Sequence, residues 1–333
     1  MSNNAVLETD QIRQLANVVH LSGILAELST MSEGKTKDNI PYLSFNGKVQ
    51  CGDEAIYTVP FRVFIKSKKT NGEDSKNYAN VKDWYSKAIP MTKDVENATR
   101  VDMRGSLTDN PYVNANGELV ESTQFNMQLF GSFKSYAAEI TLEGAILAVS
   151  EEVRDDAPTG RGRLRFFTRD IFRNNIELRN IVVQSPDIDP VVNMTTLEEV
   201  GYRKGTTTSL FIDLLPAKAV APARKGGLGK QHVTEGNNYL EWVLTGCADI
   251  ADAEHTLSSK IVKAALSVRA SRLEEVKRAG YLGSKNATPT RTVGLGSKKA
   301  STSAIDNYDV DVQPKVKPAS DMSPVGDEDD FPF

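Results

Sequence analysis

Val18-Val-His-Leu-Ser-Gly-Ile-Leu-Ala-Glu-Leu28 is a long β-prone run with a glycine inside it. A strand can bend sharply at such a glycine. Ile140-Thr-Leu-Glu-Gly-Ala-Ile-Leu-Ala-Val-Ser150 echoes Leu21 to Ser29: a polar residue, Gly, then apolars ending in Ser. The two runs therefore read as the first strands of two related units.

Around the first run the pattern is strand-rich. Tyr42 to Val49 and Ile56 to Lys66 read as strands, joined by the turn-forming Cys51-Gly52-Asp53-Glu54. Asn77 to Met91 reads as a helix ending near Pro90, and Thr99 to Leu107 and Ser122 to Phe130 as two more strands. Thr108 to Tyr112 and Asn114 to Gly117 between them are loop-like. After the second run the order repeats. Arg163 to Phe172 and Asn175 to Gln184 are strands, Met194 to Val200 a short helix, and Thr206 to Leu215 and Tyr239 to Ala248 strands. Five strands with a helix between the third and fourth is the layout of the oligonucleotide-binding barrel, or OB-fold. The expected fold is mainly β: two OB-like five-stranded barrels over residues 1–134 and 135–255, a C-terminal helix in 256–283, and a disordered acidic tail over 284–333. Apolar residues of Ser258 to Ala279 recur at helical spacing, and Gly280 is a plausible stop. Residues 284–326 have a linker composition.

Hydrophobic content of 39% and charged content of 25% describe a soluble globular chain. The net charge of −4 argues at first against a nucleic-acid ligand. Asp327, Glu328, Asp329 and Asp330 carry all four of those charges, so residues 1–326 sum to zero. Cys51 and Cys247 lack metal-site spacing and read as reduced core residues of a cytoplasmic protein. Residues 1–5 carry no basic or apolar leader, and no apolar run approaches membrane-spanning length.

Single-stranded nucleic acid is held by cations along a groove and by aromatic rings on which bases stack. Arg161-Gly-Arg-Leu-Arg-Phe-Phe-Thr-Arg-Asp-Ile-Phe-Arg173 holds five arginines against one acid. On a strand Arg161, Arg163 and Arg165 share one face, with Leu164 and Phe166 opposite. Phe167, Arg169 and Arg173 complete this candidate contact. In Pro60 to Lys69, Arg62, Phe64 and Lys66 fall on one face, followed by Lys68 and Lys69. Tyr42, Trp84 and Tyr112 are further stacking candidates. Arg224, Lys225 and Lys230 lie in a glycine-rich loop whose backbone can approach phosphates, although it lacks the hydroxyl and glycine spacing of a Walker loop. No nucleophile signature and no metal-ligand pattern stands out. Asp249, Asp252, Glu254 and His255 form the densest acid–histidine cluster, just before a helix start that favours acids. A non-enzymatic binder without cofactor or metal is therefore expected. The alternatives are a protein-binding adaptor and a metal-dependent nuclease.

The chain ends Asp327-Glu328-Asp329-Asp330-Phe331-Pro332-Phe333. Pro332 keeps the tip extended, and each Phe offers an apolar face beside the acids. This end resembles the acidic tip of bacterial and bacteriophage single-stranded DNA-binding proteins, with Phe331 where their pattern has an aliphatic residue. Arg100 to Val120 looks like the fourth strand and following hairpin of the phage-type barrels. The resemblance covers the first unit and the tail. It implies binding to single-stranded DNA in replication, recombination or repair, and capture of replication or recombination proteins through the tip. It also implies a cytoplasmic setting, the host's if the source is viral. A homo-oligomer of such chains is compatible with this layout.

Overall fold

The computed structural model of the chain describes residues 11–53, 57–69, 71–154, 156–218 and 238–285. Their contacts divide the chain into two units, Met1–Asn110 with Ser122–Ser271 and Pro111–Glu121 with Arg272–Phe333. The fold is mainly β, with three helices among the described residues, one of them C-terminal. In chain order the elements begin with β1 (Asn17–Leu28), β2 (Ser32–Lys35), β3 (Pro41–Gln50), β4 (Thr58–Lys66), α1 (Lys76–Lys87) and β5 (Arg100–Asp109). The short β6 (Tyr112–Val113) and β7 (Leu119–Val120) precede β8 (Thr123–Gly131), β9 (Ala137–Arg154), β10 (Ala157–Arg169) and β11 (Asn175–Val183). Then come α2 (Met194–Val200), β12 (Thr207–Lys218), β13 (Asn238–Cys247) and α3 (Ser259–Lys285).

In the larger unit, eleven of these strands form one continuous sheet containing two closed circuits. The first runs β1-β3-β4-β8-β5 and back to β1, antiparallel except for the β4–β8 contact, where Arg62 faces Asn126. The second runs β9-β10-β11-β13-β12 and back to β9, antiparallel except between β11 and β13. Each circuit has the strand order and single parallel closure of the five-stranded oligonucleotide-binding barrel, with a helix between its third and fourth strands. The two barrels are joined edge to edge by an antiparallel β1–β9 ladder from Asn17↔Leu142 to Ser22↔Ala137.

The glycines that opened the sequence argument sit where each first strand changes partner. Ile24 pairs with Arg100 of β5 and with Gln50 of β3; Ala145 pairs with Thr207 of β12 and with Phe167 of β10. The residue before each is a glycine. A Cβ at Gly23 would collide with the Gln50 carbonyl, and one at Gly144 with the Phe167 carbonyl. The barrel corner thus requires a strand with no side chain at that one position.

Strand alternation fills the barrels. Leu43, Phe45 and Val49 point inward from β3, and Val59, Phe61, Val63 and Ile65 from β4, all buried. The second barrel contributes Leu164, Phe166, Ile181, Leu210, Ile212 and Leu214 to the same cluster. The two cores meet directly. The Phe125 and Trp242 rings stack at 5.7 Å, and the Tyr57 hydroxyl donates to the Leu214 carbonyl. Cys51 is buried, and burial pushes its thiol up to about 12 despite a hydrogen bond with the Ser22 backbone. At pH 8 a thiol of that acidity is only about one part in ten thousand thiolate, the reactive form. Native protein is therefore expected to leave Cys51 unalkylated by a maleimide at pH 8, while urea-unfolded protein labels fully; mass spectrometry of the Cys51 peptide reads the difference.

Three element boundaries differ from the sequence expectation for local reasons. α1 stops at Lys87, and Ala88 is extended, because Pro90 disfavours helix just before it. β10 stops at Arg169 rather than Phe172. There the Asp170 carboxylate accepts from the Phe172 and Asn174 backbone N–H groups, and Arg173 adopts a left-handed φ of 62°. β2, absent from the sequence reading, is a four-residue edge strand on β3 carrying only Ser, Glu, Gly and Lys.

Within the smaller unit, β6 and β7 form a hairpin with Tyr112 opposite Val120. Its turn is held by the Asn114 side chain, which accepts from the Asn116 and Glu118 backbone N–H groups. The last part of α3 belongs to the same unit, and Gly280 leaves room there for Val113.

Candidate nucleic-acid interface

In an oligonucleotide-binding barrel the outer face of the second and third strands is the common ligand surface. Here those strands are β3 and β4 in the first barrel, and β10 and β11 in the second.

On β3 and β4 the inward residues leave Tyr42, Ser44, Asn46, Lys48, Arg62, Phe64 and Lys66 on the outer face. The register sets Tyr42 beside Lys66, Ser44 beside Phe64, and Asn46 beside Arg62. The Tyr42 and Phe64 rings meet at 5.0 Å with a 33° tilt. Tyr42 also lies over Gly34 of β2, where a Cβ would come within 2.6 Å of the tyrosine oxygen. The pair is therefore held by its own strand neighbours and by the edge strand. Arg62 donates to the Gln124 side chain at 3.4 Å, and Lys48 pairs with Glu27 at 3.0 Å. Lys66 is exposed. Beyond it Lys68 lies 3.8 Å from Asp74 and Lys69 4.0 Å from Glu73. The result is an aromatic pair bordered by cations.

On the second barrel the outer face is built from arginine. Arg161, Arg163 and Arg165 alternate with the buried Gly162 and Leu164, and Arg179 joins them from β11. Each arginine is anchored by a glutamate from its own or a neighbouring strand. Arg163 donates through Nε to Glu152 at 3.1 Å and through Nη2 to the same oxygen. Arg161 pairs with Glu241 at 2.6 Å and lies 3.8 Å from Glu152. Glu177 sits between Arg165 and Arg179, the latter at 3.0 Å. Burial alone would raise the Glu152 carboxyl, but the Arg163 and Thr159 hydrogen bonds and the charges of Arg163 and Arg161 outweigh it and hold it below the ordinary range. Glu177 shows the same balance, with Arg179 and Arg165 overcoming burial. Both carboxylates stay ionised near neutrality. Counting Arg154, which lies 3.5 Å from Glu152, five arginines meet three glutamates and the cluster keeps a surplus of positive charge.

Several residues expected at the interface are placed elsewhere. Phe167 is fully buried, packed with Ile12, Leu15, Leu257 and Ala265. The bulges beside Arg165 lie on β9 and β11, so β10 keeps its alternation: Phe166 joins the barrel core, and Phe167, one residue on, packs in a separate cluster. Arg169 is also buried, its guanidinium donating to the Arg173 and Ile12 carbonyls. Trp84 is half-buried against the first barrel's core, stacked on Phe45 at 6.1 Å and against Phe130 at 4.4 Å. Arg173 lies at the β10–β11 turn, where Phe172 is 62% exposed. Tyr112 belongs to the smaller unit. Arg224, Lys225, Lys230 and the tip Asp327, Glu328, Asp329, Asp330, Phe331, Pro332 and Phe333 lie outside the described residues. The sequence reading missed Glu152, Glu177 and Glu241. Only Glu177 carried a local signal, two residues from Arg179 and hence on the same strand face.

The acid–histidine cluster resolves into a turn. Asp252 accepts from the His255 backbone N–H at 2.9 Å and pairs with its ring at 2.7 Å. Among the described residues no group of histidine, cysteine or acidic side chains is placed to hold a metal ion. Among them, too, no helix is long and apolar enough to cross a membrane.

The YorF family profile matches residues 16–279. The chain belongs to the YorF family. The match spans both barrels and most of α3. A comparison with curated proteins returns no match. Among solved structures, the wild-type single-stranded DNA-binding protein from Thermus aquaticus is similar at 11% identity and a TM-score of 0.41, covering 72% of this chain and 96% of its own. A variant of that protein, carrying an internal deletion and a point substitution, has the same identity and coverage, with a TM-score of 0.40.

Proposed function

We propose that this chain is a non-enzymatic binder of single-stranded DNA with little sequence preference, acting in replication, recombination or repair. The observation that carries the reading is the Tyr42–Phe64 ring pair on the outer face of β3 and β4, bordered by Arg62 and Lys66. Unpaired bases offer flat faces to such a pair, whereas a duplex hides them, and the cations meet the backbone. The rings do not distinguish one base from another. The tip Asp327 to Phe333 would recruit replication or recombination proteins, a role supported by its resemblance to the acidic tips of bacterial and bacteriophage single-stranded DNA-binding proteins. A cytoplasmic location fits this role.

Fluorescence anisotropy with labelled oligonucleotides tests the reading. The protein is expected to bind oligo(dT) far more tightly than a duplex of equal length. Tyr42→Ala with Phe64→Ala should cost about 1–3 kcal/mol for each base that loses its platform. Equal affinity for duplex, or a double variant that binds as the parent does, would overturn it. Removing Asp327 to Phe333 is expected to preserve or tighten DNA binding while abolishing capture of the partner proteins.

A further inference from the structure

We propose that the two barrels grip one strand by different chemistry, the first stacking its bases and the second holding its phosphates. This rests on the single-stranded DNA reading and divides the labour within it.

The barrels share a strand circuit but not an outer face. The face of β3 and β4 carries two aromatic rings in contact. The equivalent outward positions on β10 and β11 are Thr159, Arg161, Arg163, Arg165, Glu177 and Arg179, with no aromatic among them. Phe166 and Phe167 are both fully buried, the first in the barrel core and the second under Ile12, Leu15, Leu257 and Ala265, so the second barrel offers no ring from the middle of these strands.

What the second barrel offers instead is arginines held in place. Arg163 and Arg165 each direct Nε and Nη2 to one glutamate oxygen. Those glutamates expose only 9% and 8% of their side chains, while Arg165 and Arg179 expose 50% and 52%. The carboxylates thus lie beneath and the guanidinium groups above. Arg165 keeps its Nη1 donors clear of Glu177. A guanidinium has five N–H donors and suits the paired oxygens of a phosphate. Anchoring by the buried glutamates removes part of the ordering cost that a free arginine would meet on binding.

Salt titration of oligo(dT) binding, read as the slope of log affinity against log salt, separates the two contributions. Tyr42→Ala with Phe64→Ala is expected to lower affinity by about 5- to 150-fold per stacked base and leave the slope unchanged. Arg163→Gln with Arg165→Gln is expected to reduce the slope by about 1.4, at ~0.7 per phosphate contact. An abasic deoxyribose-phosphate oligomer should bind the parent more weakly than oligo(dT). Its binding should respond to the arginine variant and not to the aromatic one. Thermal melts establish that both variants are folded. Should the double arginine variant not fold, Arg179→Gln, which leaves Arg165 covering Glu177, is expected to reduce the slope by about 0.7. A slope equally reduced by the aromatic variant, or unmoved by the arginine variants, overturns the division. If the parent protein does not bind oligo(dT) at low salt, the single-stranded DNA reading itself fails.

Discussion

Gly144→Ala is expected to destabilise the protein by about 3 kcal/mol or more, the upper end of the cost of forcing a group into a packed interior. The added methyl would meet the Phe167 carbonyl and the Phe166 ring. That carbonyl belongs to β10 at its pairing with β9, so relief requires moving a whole strand. Gly23→Ala meets the Gln50 carbonyl in the first barrel and should cost as much. Gly131→Ala is the control, because its Cβ would find only the Asp102 carbonyl, at an ordinary 3.8 Å. Urea unfolding of the three variants checks the ranking. A Gly144→Ala protein as stable as its parent would show that the corner can open without loss.

Asp109→Ala should be about as damaging, at roughly 3–5 kcal/mol, by taking the carboxylate from a buried ion pair. The Asp109 side chain is wholly inaccessible and that of Arg269 is 5% exposed; their atoms meet at 3.4 Å, linking the end of β5 to α3. The Asp109 backbone N–H also donates to Asp170, whose carboxyl burial raises even though four hydrogen bonds oppose it. Nearby, the Asn175 side chain donates to the Ala265 carbonyl of the same helix. Deleting the carboxylate leaves a guanidinium in a site that excludes water. Replacing both partners with Asp109→Leu and Arg269→Met should recover part of the loss, since neither member of the pair is then left facing a missing partner. Denaturant midpoints of the single and double variants decide it. A single variant with an unshifted midpoint would mean that water reaches Arg269 in the native state.

Much of the architecture was legible because its cause is local. Alternation in Tyr42 to Val49 and Ile56 to Lys66 marks two half-buried strands, and the structure buries Leu43, Phe45, Val63 and Ile65 as the period-two pattern requires. The echo between the runs around Gly23 and Gly144 was legible for a stronger reason. Both glycines answer the same steric demand at the same point of a repeated circuit. β2 was not legible, because its four residues hold no apolar side chain to announce a strand, and pairing with β3 alone defines it.

The interface was harder to read because it depends on distant neighbours. Alternation does carry Phe167 to the side away from Phe166, but Ile12, Leu15, Leu257 and Ala265 cover it there, and nothing in Arg165-Phe-Phe167 signals that cover. Arg169 resembles the other arginines in sequence and differs only in ending beside the Arg173 and Ile12 carbonyls. The counter-charges of Arg161 and Arg163 come from β9 and β13, the latter 80 residues away in the chain. Trp84 is an exposed-face candidate in a helix reading until Phe45 and Phe130 close on its ring.

The β1–β9 ladder joins strands whose paired residues are more than a hundred positions apart, yet they belong to one molecule. Two separate barrels that met through the same edge would part on dilution, because their association would follow mass action. Here the meeting of the edges is intramolecular, with an effective concentration set by the tether and independent of how much protein is present. A pair of unlike barrels in fixed proportion is thus guaranteed at the scarcest copy number, and neither barrel can be replaced by a second copy of its partner.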